Sequence, residues 1–433
     1  MLPMNTDVRR IRIDAPAEDV IRWLERPGAF ERLCPPWEKI RTFSPDGSRF
    51  MLVRPRRVIG HRYLVERDGE AACHLEDRME YEPPSGALGK AAETSIRRRL
   101  ERIFAYRQAV LASDLAAHRQ FRDRGALRIL ISGSTGLLGS ALIPLLTTGG
   151  HRVVRLVRGP IPGAETVPWD PAAGELDAAK IEGFDAFIHL SGEYIADGRW
   201  GKGKRERVWN SRVETTKLLV RAISQLKQPP KVLVCASGTG FYGEGGTHDL
   251  DEDSPPGQSS FFVDMVRAWE AAAQEAATHG VRVVNARIGV VLSPAGGALK
   301  SMRPAFRWGA GAVLGTGREA TGWLTLDDLV GMMHFAVMCD ELRGPVNFAM
   351  PQPVTQRELS AAVGRVLHRP VWLRIPNAAI RWIFSPELAE AMSWSQRIIP
   401  RRLMAAGYRF RYPNLDEGLR HVLGIGTVGR GSS

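Results

Sequence analysis

Residues 127–146 read LRILISGSTGLLGSALIPLL, and this stretch decides the fold of the larger part of the chain. Its apolar start has the length and composition of a buried strand, and its apolar end continues as a helix. Between them Gly133, Gly136 and Gly139 follow the spacing G-x-x-G-x-x-G. Such a turn lets backbone N–H groups and the positive end of a helix hold a pyrophosphate. The stretch therefore predicts a dinucleotide site at the first turn of an α/β domain.

A second strand, RVVRLVRG at residues 152–159, follows this helix and predicts which dinucleotide binds. An acidic residue at the end of this strand favours NAD, whereas an arginine accommodates the additional phosphate of NADP. The strand ends at Arg158, so we expect NADP(H). Arg155 lies three residues earlier and is expected to point to the opposite face of the strand.

The chain beyond this point alternates apolar runs with amphipathic segments. The strand-like runs are FDAFIHLSG (184–192), KVLVCASG (231–238) and VRVVNARIGVVL (281–292), and the helical ones include SRVETTKLLVRAIS (211–224) and VDMVRAWEAAAQEAA (263–277). Alternation of this kind predicts a doubly wound parallel sheet, the Rossmann architecture, within residues 126–425. His189 lies inside one of the buried runs and is expected to be a hydrogen-bonded core residue.

Residues 1–122 have a different pattern, which predicts a separate α+β domain. An alternating run (8–15) and a short helix after Pro16 precede three strand-like runs, FMLVRP (50–55), HRYLVER (61–67) and ACHLEDRMEYEP (72–83). A long helix over residues 92–122 closes the segment. This is the order of elements in a helix-grip domain.

Composition excludes several classes of protein. The chain has 433 residues, of which 44% are hydrophobic and 24% charged, as in ordinary globular domains. The net charge of +12 is spread over both parts, +5 in residues 1–125 and +7 beyond, so no basic tail suggests a nucleic-acid partner. We expect no membrane span, and we expect a cytoplasmic protein because the N-terminus lacks an apolar signal core. The four cysteines are far apart and predict neither a metal site nor a disulfide framework.

Several short runs resemble the extended short-chain dehydrogenase/reductase superfamily. They are LSGE (190–193), FYG (241–243), ARIGVVL (286–292) and WLTLDDLV (323–330). More narrowly, HLSGEYIADGRW (189–200), NSRVETTKLL (210–219), PVTQRELSAAVGRVLHRP (353–370) and IIPRRLMAAGYRFRYPNLDEGL (398–419) resemble its atypical epimerase family, which is NAD-dependent epimerase/dehydratase-like. The run APAEDVIRWLERPGAFERLCPPWE (15–38) resembles the entry motif of START-type (SRPBCC) ligand-binding domains.

These resemblances imply domains and binding residues. They imply a START-like domain at 1–122 with an apolar ligand, and a reductase domain at 126–425 whose substrate-side lobe covers about 345–425. They also imply cofactor contacts at Gly133, Ser134, Thr135, Gly136, Leu137, Leu138 and Gly139 in the glycine turn, at Arg158, at Leu190, Ser191 and Gly192, and at Glu206, Arg212 and Val291.

The usual catalytic pair of such reductases is missing. Extended reductases place a Tyr and a Lys four residues apart on one helix, so that the Lys lowers the Tyr pKa for proton transfer. Aligned through Glu270, these positions hold Phe262 and Val266, which cannot exchange protons. Replacement groups are Tyr242, Ser237 and Thr239, although a packing role for Tyr242 is an equal alternative.

Two functions from different classes therefore remain. The preferred one is NADP(H)-dependent oxidoreductase or epimerase-like chemistry on an unidentified small molecule, because the large substrate-side lobe has no evident use in a sensor. The alternative is a non-catalytic sensor that couples NADP(H) binding to a hydrophobic ligand of the first domain, and the missing Tyr and Lys favour it.

Overall fold

The computed structural model of the chain describes residues 5–38, 40–42, 50–52, 58–81, 89–196, 200–201 and 203–426. These residues group into two compact units. The first contains residues 5–123 together with Thr147–Gly150 and residues 420–426, and the second contains Arg124–Leu146 and His151–Leu419. Thr147–Gly150 and residues 420–425 are predicted to belong to the second domain, because they lie within its continuous stretch of sequence. The structure groups them with the first unit instead.

The first unit is built from strands β1 to β5 and helices α1 to α3. The strands are β1 (Asn5–Ile13), β2 (Ile40–Thr42), β3 (Phe50–Leu52), β4 (Val58–Asp68) and β5 (Ala72–Tyr81), and the helices are α1 (Ala17–Glu25), α2 (Ala29–Arg32) and α3 (Gly89–Gln120). An antiparallel sheet has the order β1-β5-β4, and β2 pairs with β3. Residues 53–55 of the predicted FMLVRP strand and residues 82–83 of the predicted ACHLEDRMEYEP strand lie outside the described residues.

Helix α3 starts three residues before the predicted helix, and it supplies one wall of the core. Tyr106, Val110 and Leu111 are buried against Trp23 of α1 and Leu75 of β5. The apolar positions of α3 recur at three and four residues, which places them on one face of the helix. Burial of this face against the sheet gives the first unit a core of its own.

The second unit contains the predicted parallel sheet. Its strands are β6 (Arg128–Ser132), β7 (Arg152–Val157), β8 (Thr166–Pro168), β9 (Ala186–His189), β10 (Val232–Gly238), β11 (Asp249–Leu250), β12 (Arg282–Ile288), β13 (Val290–Leu292), β14 (Gly311–Leu314), β15 (Ala320–Thr321), β16 (Trp323–Thr325), β17 (Gly344–Phe348), β18 (Val354–Thr355), β19 (Val371–Ile375) and β20 (Arg397–Ile398). The main sheet has the order β17-β12-β10-β9-β6-β7-β8, and its strands are parallel.

This strand order fixes where a ligand can bind. The chain winds outward from β6 through β7 to β8 and then returns through β9 to β10, so the order reverses between β6 and β9. In open α/β sheets ligands bind beyond the carboxyl ends of the strands at such a switch point. The glycine turn follows β6 directly, as the sequence predicts.

Helices connect these strands. They are α4 (Leu137–Thr148), α5 (Lys204–Asn210), α6 (Val213–Ile223), α7 (Phe261–Gln274), α8 (Gly297–Arg307), α9 (Leu326–Met338), α10 (Gln356–Leu367), α11 (Asn377–Ile383), α12 (Pro386–Ser393), α13 (Arg401–Ala405) and α14 (Leu415–Leu423). Helix α7 packs on β10 and β12, and its buried face includes Phe262, Val266 and Glu270. Helix α9 is capped by Thr325, whose hydroxyl accepts from the backbone N–H of Asp328.

Candidate functional site

The glycine turn after β6 is shaped by close approaches of backbone to backbone. Gly133 has φ +67°, and a Cβ there would lie 2.5 Å from the carbonyl oxygen of Leu190, at the end of β9. A Cβ on Gly139 would lie 2.5 Å from the Gly133 carbonyl oxygen, and one on Gly136 would lie 3.3 Å from that same atom. Two of the three glycines therefore leave no room for a side chain, since atoms at 2.5 Å overlap. The turn presents bare backbone at the start of α4, which is the geometry of a phosphate cradle.

Ser134 follows the first glycine and carries an unusual side chain. Its hydroxyl is buried and has no hydrogen-bond partner among the described residues. A buried hydroxyl without a partner costs free energy, so such a group in a ligand cradle points to a bound partner. The backbone cradle and this hydroxyl both fit a dinucleotide pyrophosphate.

The loop before α8 lies against the start of α4. A Cβ on Gly296 would come within 2.9 Å of Leu137 Cδ2, and a Cβ on Gly297 would lie 3.2 Å from the carbonyl oxygen of Val291. Leu137 and Val291 are both expected to contact the cofactor. The structure places both of them beside the same segment, Gly296 and Gly297. Thr135 and Leu138 lie in the turn and the first turn of α4.

Arg158 lies immediately after β7, as predicted. Its side chain is exposed, and it forms no ion pair with any of the described carboxylates. Arg155 lies within β7, opposite Ile131 of β6 and Thr166 of β8, and is only partly exposed. An exposed guanidinium with no acidic neighbour can take a phosphate without first breaking an ion pair.

The loop from Leu190 to Glu193 is held from behind by Arg212. One of its terminal nitrogens donates to the carbonyl oxygen of Glu193 at 3.1 Å and the other to that of Val208 at 3.2 Å. Burial lowers the pKa of Arg212 to about 10. The expected cofactor contact of Arg212 stays a prediction, and its observed hydrogen bonds position the loop that contains Ser191 and Gly192.

Two acidic residues near this loop have different surroundings. Glu193 pairs with Lys204 at 3.0 Å, and the hydrogen bond and positive charge lower the pKa of its carboxyl. Glu206 is exposed on α5 and lines a surface depression of about 490 Å³ with Trp209 and Phe261. Its expected role in anchoring the cofactor stays a prediction.

His189 is a satisfied core residue, as predicted. Its Nδ1 lies 2.7 Å from the Ser132 hydroxyl and its Nε2 lies 3.3 Å from the Thr215 hydroxyl. Burial lowers the pKa of the ring to about 4, so the imidazole is neutral near pH 7. The residue joins β6, β9 and α6.

On α7, Phe262 and Val266 stand where the proton-transferring pair is expected, and a buried carboxylate, Glu270, lies one turn further along the same face. Phe262, Val266 and Glu270 recur at intervals of four residues and are all buried. The side chains of the first two lie beside Gly240, since a Cβ there would be 3.7 Å from each. Glu270 accepts a 2.6 Å hydrogen bond from the Ser237 hydroxyl, so Ser237 serves this carboxylate.

Arg287 of β12 completes this internal cluster. It donates from Nε and Nη2 to the two oxygens of Glu270, each at 2.8 Å, and from Nη1 to the Tyr242 hydroxyl at 2.9 Å. In the sequence, Glu270 serves only to align the helix, and the role of Arg287 is not predicted. The arginine within the run ARIGVVL (286–292) was the available signal, because a buried guanidinium requires a partner.

Tyr242, the first candidate acid, is surrounded by hydrogen-bond partners. Its hydroxyl lies 2.7 Å from Asn347 Oδ1 and 2.8 Å from the Asp251 carbonyl oxygen, and burial raises its pKa to about 12. Of the two roles left open by the sequence, this environment favours the packing role. Thr239 differs, because its hydroxyl has no hydrogen-bond partner among the described residues, although its carbonyl oxygen accepts from Gln396.

The first unit contains a separate cavity of about 180 Å³. Apolar side chains of Ile11, Leu75, Phe104 and Leu111 line it together with Arg107 and Asp77. Asp77 lies 2.7 Å from His61 and 3.3 Å from Arg107, so the polar part of the wall is internally paired. The arrangement can hold a small, mainly apolar molecule.

Comparison with known proteins identifies relatives of the second unit. Residues 129–347 match the model of the NAD dependent epimerase/dehydratase family, and residues 375–422 match a domain of unknown function. An epimerase family protein of Mycobacterium tuberculosis is 38% identical over 294 residues, which are 68% of this chain and 97% of that protein.

Two solved structures are similar as well. The human epimerase family protein SDR39U1, crystallised with NADPH, is 35% identical, with a TM-score of 0.63 over 69% of this chain and 99% of that one. A structure described as a nucleoside-diphosphate sugar epimerase from Corynebacterium glutamicum is 28% identical, with a TM-score of 0.76 over 96% of this chain and 90% of that one.

Within the described part of this chain, no helix has the length and apolarity to cross a bilayer, and no group of three His, Cys, Asp or Glu residues could hold a metal ion.

Proposed function

Because this chain belongs to the NAD dependent epimerase/dehydratase family, we propose that it binds NADP(H) at the glycine turn after β6 and performs oxidoreductase or epimerase-like chemistry on a small molecule. The observation that carries the cofactor assignment is the exposed Arg158, without an acidic partner among the described residues, at the end of β7. The NADPH in the crystals of the human relative supports the same choice.

The chain's own residues would hold the cofactor as follows. Backbone N–H groups of the glycine turn and the Ser134 hydroxyl would bind the pyrophosphate, and Arg158 would bind the 2′-phosphate. The loop with Leu190, Ser191 and Gly192 would lie along the adenosine half of the cofactor, and Val291 would lie beside the nicotinamide half. The bound nicotinamide would supply hydride transfer.

A proton route other than Tyr and Lys is needed for this chemistry. Phe262 and Val266 cannot supply one, and the hydroxyls of Ser237 and Tyr242 already serve Glu270, Arg287 and Asn347. We propose the Thr239 hydroxyl as the group nearest to this role, because it lies in the turn after β10 and is free of partners in the described part of the chain.

A sensor without catalysis is the second candidate function. The buried, fully paired cluster at the usual catalytic helix favours it, since no ionisable group there is available for proton exchange. In this reading, NADP(H) binding is coupled to an apolar ligand in the first unit. The cavity of about 180 Å³ supports a ligand-binding, START-like domain at 1–122, followed by the reductase domain at 126–425 with its substrate-side lobe at about 345–425.

Titration of NADPH and NADH against Arg158→Ala tests the cofactor assignment. Each charge-assisted hydrogen bond to the 2′-phosphate contributes about 1.5–3 kcal/mol, so NADPH should bind ~10 to 100-fold more weakly while NADH changes little. Arg155→Ala is the matched control and should leave both affinities near those of the wild type. Equal losses for NADPH and NADH in Arg158→Ala would refute the proposed phosphate contact.

Turnover separates the enzyme from the sensor. Purified protein mixed with NADPH and a small-molecule extract of cells should oxidise NADPH if it is an enzyme, and Thr239→Val should reduce the rate. Cofactor binding without consumption, together with an apolar molecule recovered by solvent extraction of the purified protein, would favour the sensor.

A further inference from the structure

Strands β14 and β19 form a two-stranded ribbon that presents large apolar side chains to solvent. Trp372 of β19 is 71% exposed, its neighbours Leu373 and Arg374 are also exposed, and Trp308 at the end of α8 is 90% exposed. A strand that covers a core buries alternate residues, and β19 does not. Exposed tryptophans close together mark an interaction surface more often than a solvated one.

Hydrogen bonds hold these residues together although they are far apart in sequence. The Trp372 indole donates to the Gly309 carbonyl oxygen at 2.9 Å, and Arg369 Nε donates to the Arg307 carbonyl oxygen at 3.1 Å. Arg374 Nε donates to the Gly315 carbonyl oxygen at 2.9 Å. We call this surface the tryptophan–arginine face; it consists of Trp308, Trp372, Leu373, Lys300, Arg303, Arg307, Arg369 and Arg374.

The face is also strongly basic. Residues 297–318 and 368–386 contain seven Lys and Arg and no Asp or Glu. None of the five cations of the face forms an ion pair with a carboxylate in the described part of the chain, and the arginines that are hydrogen-bonded donate to neutral carbonyl groups. Partial burial and, to a smaller extent, the positive charge of the nearby Arg307 lower the pKa of Arg303. The charges are therefore left for an external anion.

Helix α11 continues the same pattern along the chain. It follows β19 and ends at Trp382 and Ile383, which are 77% and 45% exposed, next to the exposed Arg381. Indole rings beside guanidinium groups suit the boundary between water and the acyl chains of a bilayer, because tryptophan is amphipathic and arginine pairs with phosphate.

We propose that the tryptophan–arginine face docks the protein on the surface of a membrane rich in anionic phospholipids. The tryptophans and Leu373 would enter the headgroup region, and the five cations would pair with lipid phosphates. A second copy of the chain fits the face poorly, because a symmetric contact would bring two uncompensated positive patches together. The absence of a spanning helix among the described residues is compatible with peripheral docking.

Co-sedimentation of the full chain with vesicles tests this proposal. Vesicles of phosphatidylcholine and phosphatidylglycerol in equal parts should bind the protein, and vesicles of phosphatidylcholine alone should bind it at least tenfold more weakly. Raising NaCl from 0.1 M to 0.5 M should release it, because salt screens the cations. Each cation near an anionic surface contributes about fivefold, so Arg307→Glu with Arg369→Glu should weaken binding about 25-fold or more.

Matched variants separate this face from the remaining surface. Trp308→Ala with Trp372→Ala should weaken vesicle binding tenfold or more, whereas Leu64→Ala, which removes an exposed apolar group elsewhere, should not. Arg221→Glu with Lys227→Glu makes the same change of charge at two exposed positions, one on α6 and one in the segment after it, and should cost less than threefold. Circular dichroism and melting temperature verify that each variant is folded.

Three vesicle-binding results would overturn the proposal. They are equal binding to both vesicle types, equal losses in the test and control variants, and no vesicle binding by the folded wild type. In the last case, a concentration-dependent dimer that the tryptophan variant abolishes would assign the face to a second copy. Tighter binding to single-stranded nucleic acid than to vesicles would assign it to that partner instead.

Discussion

Arg287 and Glu270 form a two-pronged ion pair in the interior of the second unit, with both N–O distances at 2.8 Å. The pair joins β12 to α7, and both side chains are almost completely buried. Glu270 lies on the helix where extended reductases are expected to carry the proton-transferring Tyr and Lys. We therefore expect this pair to be structural and any chemistry to rely on groups outside this cluster.

Removal of one partner should be costly. Glu270→Ala leaves Arg287 buried without its carboxylate and Ser237 without its acceptor, so we expect a loss of about 3–5 kcal/mol in the free energy of unfolding. Glu270→Leu with Arg287→Met should lose much less, because no charge is then left unpaired. Urea denaturation of the full chain measures both variants, and a double variant as unstable as the single one would contradict this account.

Restoration of the usual catalytic residues should not create an efficient reductase. Phe262→Tyr with Val266→Lys places a lysine where the side chain is 3% exposed, and burial disfavours its charged form. We expect a lower melting temperature and no gain in NADPH consumption. Phe262→Leu with Val266→Met controls for repacking, and a large rate increase confined to the Tyr and Lys variant would disprove the prediction.

The glycine turn offers a test with an internal reference. Gly133→Ala should weaken NADPH binding at least tenfold, because its Cβ would lie 2.5 Å from the Leu190 carbonyl oxygen and would displace the turn. Gly183→Ala has a similar φ of +70° but meets no atom within 4 Å. It should cost about 1–2 kcal/mol of stability for the backbone alone and leave NADPH affinity unchanged. If both variants bound NADPH with similar affinity, the clash between a Cβ at position 133 and Leu190 would not be the cause of weaker binding.

Asp328 should make stability depend on pH. Burial raises the pKa of its carboxyl from 3.8 to about 6, so the folded chain binds a proton that the unfolded chain releases. The free energy of unfolding should therefore fall as pH rises from about 4 to 6, by up to about 3 kcal/mol. Asp328→Asn should flatten this part of the profile. Unfolding curves at half-unit pH steps would reject the assignment if wild type and variant have the same slope.

The sequence predicted the second unit well because its signals are local. The glycine spacing, the apolar runs and the strand ending at Arg158 each lie within a few residues, so they could be recognised without tertiary information. Local signals also located Phe262 and Val266. By contrast, the segments Thr147–Gly150 and residues 420–426 group with the first unit through packing that only the fold reveals.

Charge distribution could not be predicted in the same way. Along the chain the basic excess is spread evenly, and no stripe is visible. Folding brings residues 307–309 next to residues 369–372, and the result is a basic face with two exposed tryptophans. The Glu270 and Arg287 pair is another contact of this kind, since its members belong to a helix and to the strand after it.

The position of the proton on the His189 ring determines which atom donates and which accepts in each hydrogen bond of the ring. The Thr215 hydroxyl donates to the Ser211 carbonyl oxygen at 2.8 Å, so it can only accept from the ring, and Nε2 must carry the proton. Nδ1 is then an acceptor for Ser132, whose oxygen receives the Leu190 N–H at 3.3 Å. This one tautomer therefore fixes the donor and the acceptor in each hydrogen bond of the chain that runs from Leu190, beside the glycine turn, through His189 to Thr215 at the start of α6. In a His189→Gln variant, the amide oxygen would have to accept from Ser132 and the amide nitrogen would have to donate to Thr215 to keep the same pattern.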